Sequence, residues 1–409
     1  MSAAELFDMA TKSADAGDAS NAEAIYDALA RDPDIDIRCE ARYRHGLLHE
    51  QSKHYAAAAV LYRAILDERP DAGRVRLELA KVLVLMGNDA GARQALRQAQ
   101  AGGLPRDVAQ LVDQFQGALR AVKPIGGSLE VAFAPSSNIN RATRSATLDT
   151  IIAPFDLSKD ARAQSGVGAK IAGQTYLRLP VAAHLRWTLR ASFQGLFYRQ
   201  GEFDDIVAAV ETGVEFYRGR SRFQPLIGRS YRWYGGNSYA VTDVGSLNWL
   251  RTIGRKSQID ANFGVGRADY KLNDLQDGTI YDAGFAFEHA FGPESGGRVG
   301  VFAQRQNARD PGYATTSGGG NLVYWRDVGR GTLFGSVSLS HLQADGRLFL
   351  FPKRRVEWLG RLGAGATLRQ ATVHGFAPVV RVSYERNIST IGLYDYGRFG
   401  FELGITRAF

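Results

Sequence analysis

Apolar residues recur with two different periods along this chain. Over residues 3–120 they stand three and four positions apart, which is typical of amphipathic helices. From residue 123 onward, apolar and polar residues alternate in segments that are broken by Gly, Asn, Asp and Pro, as in β-strands. The pattern therefore predicts two domains, a helical domain over residues 1–122 and a β domain over residues 123–409.

The helical region repeats with a period of about 34 residues, the length of a tetratricopeptide repeat. Its clearest copy has small, aromatic and proline residues where that repeat has them, at Gly46, Tyr55, Ala58, Tyr62, Leu66 and Pro70. A second copy follows with Leu79, Ala80, Leu83, Gly87, Ala92, Leu96, Ala99 and Pro105, and a poorer copy comes first with Gly17, Ala22, Tyr26, Leu29 and Pro33. Because one helix pair cannot bury its apolar face alone, we predict a short solenoid, capped by a helix over 106–120.

The concave face of this solenoid is a candidate groove for protein cargo. The first helix of each pair would line it, and such a surface suits a peptide or protein segment. The repeat register predicts the residues on that face. They are Glu40, Tyr43, Leu47, Glu50 and Gln51 from one helix, and Arg74, Leu77, Lys81, Val84 and Leu85 from the next.

The β region contains about fourteen candidate strands, a number read from its alternating segments. Their predicted bounds are 127–135, 163–176, 183–199, 203–218, 221–234, 238–252, 256–271, 278–291, 297–308, 314–327, 331–344, 355–370, 374–388 and 396–409. Successive side chains of a strand point to opposite faces, so each segment would have one apolar and one polar face. This arrangement predicts an antiparallel sheet that closes into a barrel.

The last strand favours a membrane barrel over a soluble one. A soluble barrel or sandwich packs its apolar face inward, and alternation alone does not say which face is inside. A final strand with one apolar face and a terminal aromatic residue is typical of outer-membrane barrels. We interpret its apolar residues as the barrel insertion signal: Phe401, Leu403, Ile405 and Phe409. The predicted fold is thus a helical domain plus a transmembrane β-barrel, with the helical domain in the periplasm and the longer loops outside.

Charged residues on the polar faces of these strands would point into the lumen. The candidates are Arg186, Arg190, Asp260, Asp282, Glu288, Glu357, Arg361, Arg369, Arg381, Glu385, Arg398 and Glu402. One interpretation is a salt-bridge network that holds the wall and a plug. The other is a polar track for a chain that passes through the barrel.

Composition narrows the class of protein further. Mean hydropathy is −0.22, and no apolar run is long enough for a transmembrane helix, which leaves the barrel prediction untouched. The net charge of +8 is spread over both halves without a dense basic run, so we predict no nucleic-acid partner. Cys39 is the single cysteine, and no intrachain disulfide can form. The N-terminus lacks the pattern of an export signal, so we expect a mature or truncated form from which the signal peptide is absent.

Candidate chemistry is sparse. His45 and His49 are four residues apart on a predicted helix, a spacing that lets two imidazoles share a metal ion. His49 also falls where the repeat has a packing aromatic residue, so we predict core packing and no metal site. Patterns for nucleotide binding or nucleophilic catalysis are missing, and the Ser/His pair of outer-membrane phospholipases is not recognisable. We therefore predict no enzyme activity and no cofactor.

Two segments resemble the surface lipoprotein assembly modulator (Slam) family. The first is VAFAPSSNINRATRS (131–145), which matches the family at Pro135, Ser137, Asn138, Ile139, Asn140 and Thr143. The second is the closing hairpin (379–409), which matches it at Tyr384, Arg386, Asn387, Ser389, Tyr394, Tyr396, Arg398, Glu402, Gly404 and Phe409. The resemblance covers essentially the whole chain, although the helical region is short for the family.

The resemblance implies an outer-membrane translocator of the type XI secretion route. Such a protein moves lipoproteins, or soluble secreted proteins, from the periplasm to the cell surface. The expected partners are this protein cargo, periplasmic chaperones, the barrel-insertion machinery and outer-membrane lipids, and we expect a monomer. Two alternatives stay open: a polysaccharide exporter, which also joins helical repeats to a barrel, and a porin-like channel with a periplasmic protein-binding domain.

Overall fold

The computed structural model describes residues 2–86, 88–101, 124–182, 184–254, 256–329, 331–368 and 376–408. Within these ranges, six α-helices come first, in three antiparallel pairs. They are α1 (Ala3–Asp15), α2 (Ala19–Leu29), α3 (Ile35–Gln51), α4 (Tyr55–Glu68), α5 (Gly73–Leu85) and α6 (Asp89–Ala101). The tetratricopeptide architecture is confirmed for these pairs, whereas the predicted capping helix over 106–120 and the domain boundary at 122 lie outside the described residues.

Apolar side chains shared between neighbouring helices hold the helical domain together. One core joins α1, α2 and α3 around Ala22, Tyr26 and Ala41. A second joins α3 to α6 around Tyr62 and Ile65, which are 0% and 2% exposed. Each helix pair therefore buries its apolar face against the next, as a solenoid requires.

Among the described residues, fourteen strands form one closed antiparallel barrel. They are β1 (Ile125–Phe133), β4 (Gly168–Ala182), β5 (Leu185–Tyr198), β6 (Asp205–Arg218), β7 (Ser221–Tyr234), β8 (Asn237–Ile253), β9 (Ser257–Tyr270), β10 (Gly278–Ala290), β11 (Ser295–Ala308), β12 (Thr315–Val328), β13 (Gly331–Ala344), β14 (Val356–Leu368), β15 (Ala377–Ser389) and β16 (Tyr396–Ala408). Each pairs with its neighbour in sequence, and β1 pairs with β16 to close the ring. We call the β1–β16 contact the seam.

The outer wall of the barrel is apolar. Large side chains such as Phe263, Val301 and Leu403 are 55%, 58% and 50% exposed. The side chains that alternate with these along each strand point inward, because successive side chains of a strand point to opposite faces. A wall with exposed apolar side chains and inward polar ones is the arrangement that a lipid bilayer requires. Among the described residues, no helix has the length and apolar content to cross a bilayer.

The two ends of the barrel differ in their connections. At the end where β1 starts, which we call the proximal end, two-residue turns such as Gly219–Arg220 join the strands, and Gly219 has the positive φ of 58° that glycine adopts without strain. At the other, distal end the connections include 134–167, 271–277 and 345–355. The predicted asymmetry of loop lengths is confirmed.

One predicted strand is displaced. Residues 163–176 were expected as a strand, whereas β4 spans Gly168–Ala182 and runs past Pro180 with an irregular register near its end. The residues before β4 belong to the distal connection 134–167 instead, where Gly166 forms an isolated β-bridge with Ser136 of the same connection. That loop also contains a small hairpin of β2 (Thr147–Leu148) and β3 (Phe155–Asp156), which the pattern did not predict because each strand has only two residues.

Candidate functional site

The predicted groove residues on α3 and α5 do meet in space. The ammonium of Lys81 forms an ion pair with Glu50 across the two helices. The guanidinium of Arg74 lies 5.7 Å from the ring centroid of Tyr43, close enough for a cation–π contact. Two different polar contacts therefore join helices that belong to successive repeats.

Exposure separates the groove residues into three groups. Glu40, Gln51 and Arg74 are exposed, and their side chains are available to a partner. Tyr43, Leu47, Glu50, Leu77, Lys81 and Leu85 are half-buried. Val84 was predicted on this face, but that prediction is wrong, because its side chain is 4% exposed and belongs to the core shared by α3–α6.

The last described helix reaches the proximal end of the barrel. Gln98 on α6 is 4% exposed and accepts a hydrogen bond of 3.1 Å from Arg76 on α5. Its amide Nε2 donates to Oδ2 of Asp327, near the end of β12, at 3.4 Å. A hydrogen bond between buried Gln98 and half-buried Asp327 thus connects the helical domain to the barrel wall.

A polar cavity of about 540 Å³ lies between α6 and the barrel interior. Arg93 and Gln94 line it from the helix, and Asp260, Glu288 and Arg298 are among the residues that line it from the barrel. The Arg298 guanidinium makes a bidentate ion pair with Asp260, with N···O distances of 2.6 and 2.7 Å. The proximal entrance of the lumen is therefore lined by charges of both signs and bordered by the repeat domain.

Four charged side chains join the two sides of the seam inside the barrel. Arg381 on β15 makes a bidentate pair with Glu130 on β1, at 2.7 and 2.9 Å, and also contacts Glu402 on β16 at 3.0 Å. Lys170 on β4 lies 3.3 Å from Glu130 and 3.1 Å from Glu402. We call Glu130, Lys170, Arg381 and Glu402 the seam cluster. It crosses four adjacent strands, so it holds the first and last strands in one register.

The remaining lumen candidates also lie on the inner face. Register places Arg186 opposite Glu215, Arg190 opposite Glu211, and Arg361 and Arg398 opposite Glu385. Arg190 contacts Glu211 at 2.6 Å, and Arg361 contacts Glu385 at 3.3 Å. Asp282, Glu288 and Glu357 occupy inward positions on β10 and β14. Arg369 and Phe409 lie outside the described residues, while Leu403 and Ile405 are on the outer wall as the insertion-signal hypothesis requires.

The distal loop that follows β1 is tied to the closing hairpin. Asn138 is completely buried, and its Nδ2 donates to the carbonyl oxygens of Ala142 and Gly397. Arg141, with φ of 50°, donates from Nε to Glu385 at 3.3 Å. The two segments that suggested a family resemblance therefore contact each other, and the residues of 135–140 act as a structural clasp.

Loops at the distal end share a small apolar core. Its buried members are Leu148 from the first loop, Leu348 and Phe351 from the loop 345–355, and Ile391 from the last loop. Ile151 also donates its backbone N–H to the carbonyl of Leu350. Because three loops that are distant in sequence pack on one another, the distal end has ordered internal structure of its own.

Sequence analysis missed several inner residues: Glu130, Lys170, Glu211, Glu215 and Arg298. All are charged residues at inward positions of alternating strands, so the same period-two signal would have found them. Their pairing with particular partners depends on strand register, which alternation does not reveal.

The model of the surface lipoprotein assembly modifier family matches residues 127–409, which is most of the chain. The chain belongs to this family. A surface lipoprotein assembly modifier is a protein of the outer membrane with a role in surface lipoprotein assembly, and the predicted resemblance to this family is thereby confirmed. A tetratricopeptide repeat model matches residues 50–114 of the helical domain.

Solved structures with similar folds include several outer-membrane proteins. A loop-deletion mutant of OmpT from Vibrio cholerae has 10% identity and a TM-score of 0.39, over 70% of this chain and 99% of its own. The toluene transporter TodX from Pseudomonas putida has 10% identity and a TM-score of 0.36, over 71% of this chain and 91% of its own. At these scores the assignment depends on the family match alone. No curated protein sequence matches the chain significantly.

Proposed function

We propose that this surface lipoprotein assembly modifier is a translocator that moves protein cargo from the periplasm to the cell surface. The groove of the helical domain receives a segment of the cargo, and the barrel provides the passage. The contact between Gln98 and Asp327 carries this proposal, because it brings the receiving domain to the proximal entrance of the lumen. A binding domain whose function did not involve the lumen would have no reason to lie at its entrance.

Charge and exposure support the groove as the receiving surface. Glu40 and Arg74 are exposed on α3 and α5, the first helices of successive repeats, and the partly exposed Tyr43 and Leu77 lie on the same two helices. An extended peptide can satisfy such a surface by ion pairs at its polar positions and apolar contacts at the others. The concave face of a short helical solenoid is suited to this kind of ligand.

The lumen and the distal loops support a passage that is closed at rest. Most of the inner charges that we predicted as a track form ion pairs, namely Arg186, Arg190, Asp260, Glu288, Glu357, Arg361, Arg381, Glu385 and Glu402. A porin needs a steady aqueous pore, whereas a translocator opens only when cargo is present. In planar-bilayer recordings the purified chain should therefore give no steady conductance. A large, constant conductance would favour the porin-like alternative.

The groove can be tested by charge reversal at Arg74. Arg74→Glu should lower the surface exposure of a cargo lipoprotein, measured by protease accessibility on intact cells, because the groove loses its exposed cation and the Tyr43 contact. Arg31→Glu is the matched control, since Arg31 is also an exposed arginine of the helical domain but lies outside the groove. Equal loss in both variants, or no loss in Arg74→Glu, would contradict the groove assignment.

The entrance can be tested by cross-linking. Cys39 is buried, and burial raises the pKa of its thiol, whereas Gln94 and Asn248 are half-buried and line the same cavity, so cysteines introduced at Gln94 and Asn248 would be the reactive pair. A short bis-maleimide should join them and stop cargo exposure, while either single-cysteine variant treated in the same way should remain active. Normal cargo exposure by fully cross-linked protein would show that this entrance does not open during transport.

A further inference from the structure

Four ionisable side chains meet where α2 packs on α3. Glu23 and Asp27 are one turn apart on α2, and His45 and His49 are one turn apart on α3. One potential ligand atom from each of Glu23, His45 and His49 lies within 4.8 Å of the others. We infer that Glu23, His45 and His49 form a binding site for a divalent transition-metal ion, for which zinc fits the ligands best.

His45 provides an independent reason to expect a ligand. Its residue is only 5% exposed, yet within the described part of the chain neither ring nitrogen has a hydrogen-bond partner. Its Nδ1 lies 3.4 Å from Asp27 Oδ1, and His49 Nδ1 lies 3.5 Å from Glu23 Oε1, so the carboxylates are close without forming good hydrogen bonds. Buried polar groups are nearly always satisfied, and an ion held by Glu23, His45 and His49, with Asp27 beside the other nitrogen of His45, would satisfy them.

Core packing explains why ring side chains occupy positions 45 and 49, but it does not explain the carboxylates that face them. Tyr26, His45 and His49 form a stack with centroid distances of 6.0 and 4.5 Å, which accounts for aromatic-sized side chains at these positions. Apolar aromatic residues would make the same stack without buried nitrogen atoms. Packing also gives no reason for two carboxylates, one turn apart, opposite two imidazoles, one turn apart.

The ligand chemistry selects the class of ion. Imidazole nitrogen together with carboxylate oxygen suits zinc and its neighbours among the transition metals, whereas magnesium and calcium prefer oxygen alone. Asp27 beside His45 Nδ1 would orient that ring, as outer carboxylates do in zinc sites.

The consequence for the fold is a cross-link between the first and second repeats. The α2–α3 contact joins them, and an ion held by Glu23 from one helix and two histidines from the other would fix their relative position. Coordination requires the ligand atoms to approach the ion to about 2.0–2.2 Å, which half-exposed Glu23 can do by a change of rotamer. This inference does not depend on the translocation proposal.

Metal binding by the full-length chain in detergent micelles tests the site. After treatment with a chelator, zinc chloride should bind with one equivalent in calorimetry, raise the melting temperature of the helical signal, and be unaffected by excess magnesium. Cobalt(II) should give the visible absorption of a site with nitrogen ligands. Glu23→Gln and His49→Gln should each weaken zinc binding at least tenfold, and Asp27→Asn by about tenfold.

The control is His54→Gln, because this ring lies 5.9 Å from His49 but outside the proposed ligand set. It should bind zinc like the wild type. Glu23 and Asp27 are on the surface, so their variants should fold normally, which circular dichroism will check. The site is refuted if the wild type binds no zinc in calorimetry, or if Glu23→Gln and His49→Gln bind it as tightly as the wild type does.

Discussion

The helical domain and the barrel place the same kinds of side chain in opposite locations. In the helical domain Tyr62 and Ile65 are almost completely buried, and most charges lie on the surface. In the barrel Phe263 and Val301 are more than half exposed, while Arg381 and Glu130 face the interior. One chain therefore contains a domain that buries its apolar side chains away from water and a domain that turns them toward lipid.

This difference shows what stabilises each region. Removal of apolar area from water stabilises the helical domain. The barrel's apolar wall meets lipid, so it depends on closed backbone pairing between strands and on the inner polar contacts. Substitutions of similar size should consequently have different effects in the two regions.

The largest effect is expected for Tyr62→Ala. The Tyr62 ring packs so closely on α3 that a Cβ at Gly46 would lie 2.6 Å from it, and its hydroxyl donates to Glu50 at 3.3 Å. Loss of this ring should lower the free energy of unfolding of the helical domain by about 3–5 kcal/mol. Urea denaturation followed by the helical circular-dichroism signal measures it. The barrel's heat-modifiable mobility on a gel should not change, and a change there would mean that the two domains do not unfold separately.

The next largest effect is expected for a substitution that tests which side chains of the barrel wall face lipid. Phe263 and Asn262 are neighbours on β9 that point outward and inward, and Asn262 lies 3.3 Å from Asp282. Phe263→Arg should cost about 2–4 kcal/mol because it places a cation in lipid. Asn262→Arg should be tolerated, since the lumen offers carboxylates. Folding yields in lipid vesicles compare the two, and a greater loss for the inward variant would reverse our assignment of the faces.

The seam cluster should show a smaller effect. Arg381→Met leaves Glu130 and Glu402 with Lys170 as their remaining partner in the cluster, and should lower barrel stability by about 1.5–3 kcal/mol. Thermal unfolding in detergent, followed on a gel, measures the difference. Arg309→Met is the control, because Arg309 pairs with Asp274 and Asp277 at the distal end and not across the seam, so this change should have little effect. Similar losses in both variants would argue against a special role for the seam.

The smallest effect is a pH dependence confined to the helical domain. Burial alone would raise the pKa of Glu68, but hydrogen bonds from Arg42 and Arg38, at 2.6 Å each, outweigh it and lower the pKa. Because the pKa of Glu68 is lower in the folded state than in the unfolded state, its carboxylate stabilises the fold at pH values above the unfolded-state pKa. This stabilisation is lost as the pH falls through the folded-state pKa. Glu68→Gln should therefore be less stable at neutral pH, with the difference shrinking in acid. Glu40→Gln, an exposed control, should follow the wild type at each pH.

The direction of each barrel side chain could be predicted from the sequence, whereas its partner could not. Parity within a strand decides whether a residue such as Arg381 points inward. Its partner Glu130 is 251 residues away, and only the closure of the ring brings the two together. For the same reason the strand number and the outward position of Leu403 were predictable, but the loop contacts of Asn138 were not.

The helical domain gives a similar lesson. The 34-residue period was sufficient to predict the helix pairs. It placed Val84 on the groove face, but this side chain is buried in the core shared by α3–α6, because the apolar stripe of a helix covers several register positions. His45 and His49 alone suggested packing without a metal. Glu23 and Asp27 approach them only through the packing of α2 on α3, which no local pattern encodes.

The clasp of residues 135–140 has a consequence for biogenesis. Asn138 bonds to Gly397 and Ser137 to Phe399, which are 259 and 262 residues further along the chain. Contacts between such remote segments form last, because the intervening polymer must first be organised. The clasp would thus form only in a completed barrel. A nascent sheet that lacks its final hairpin has one unpaired edge on β1 and an unanchored loop, and such an unfinished barrel is a target for quality-control proteases.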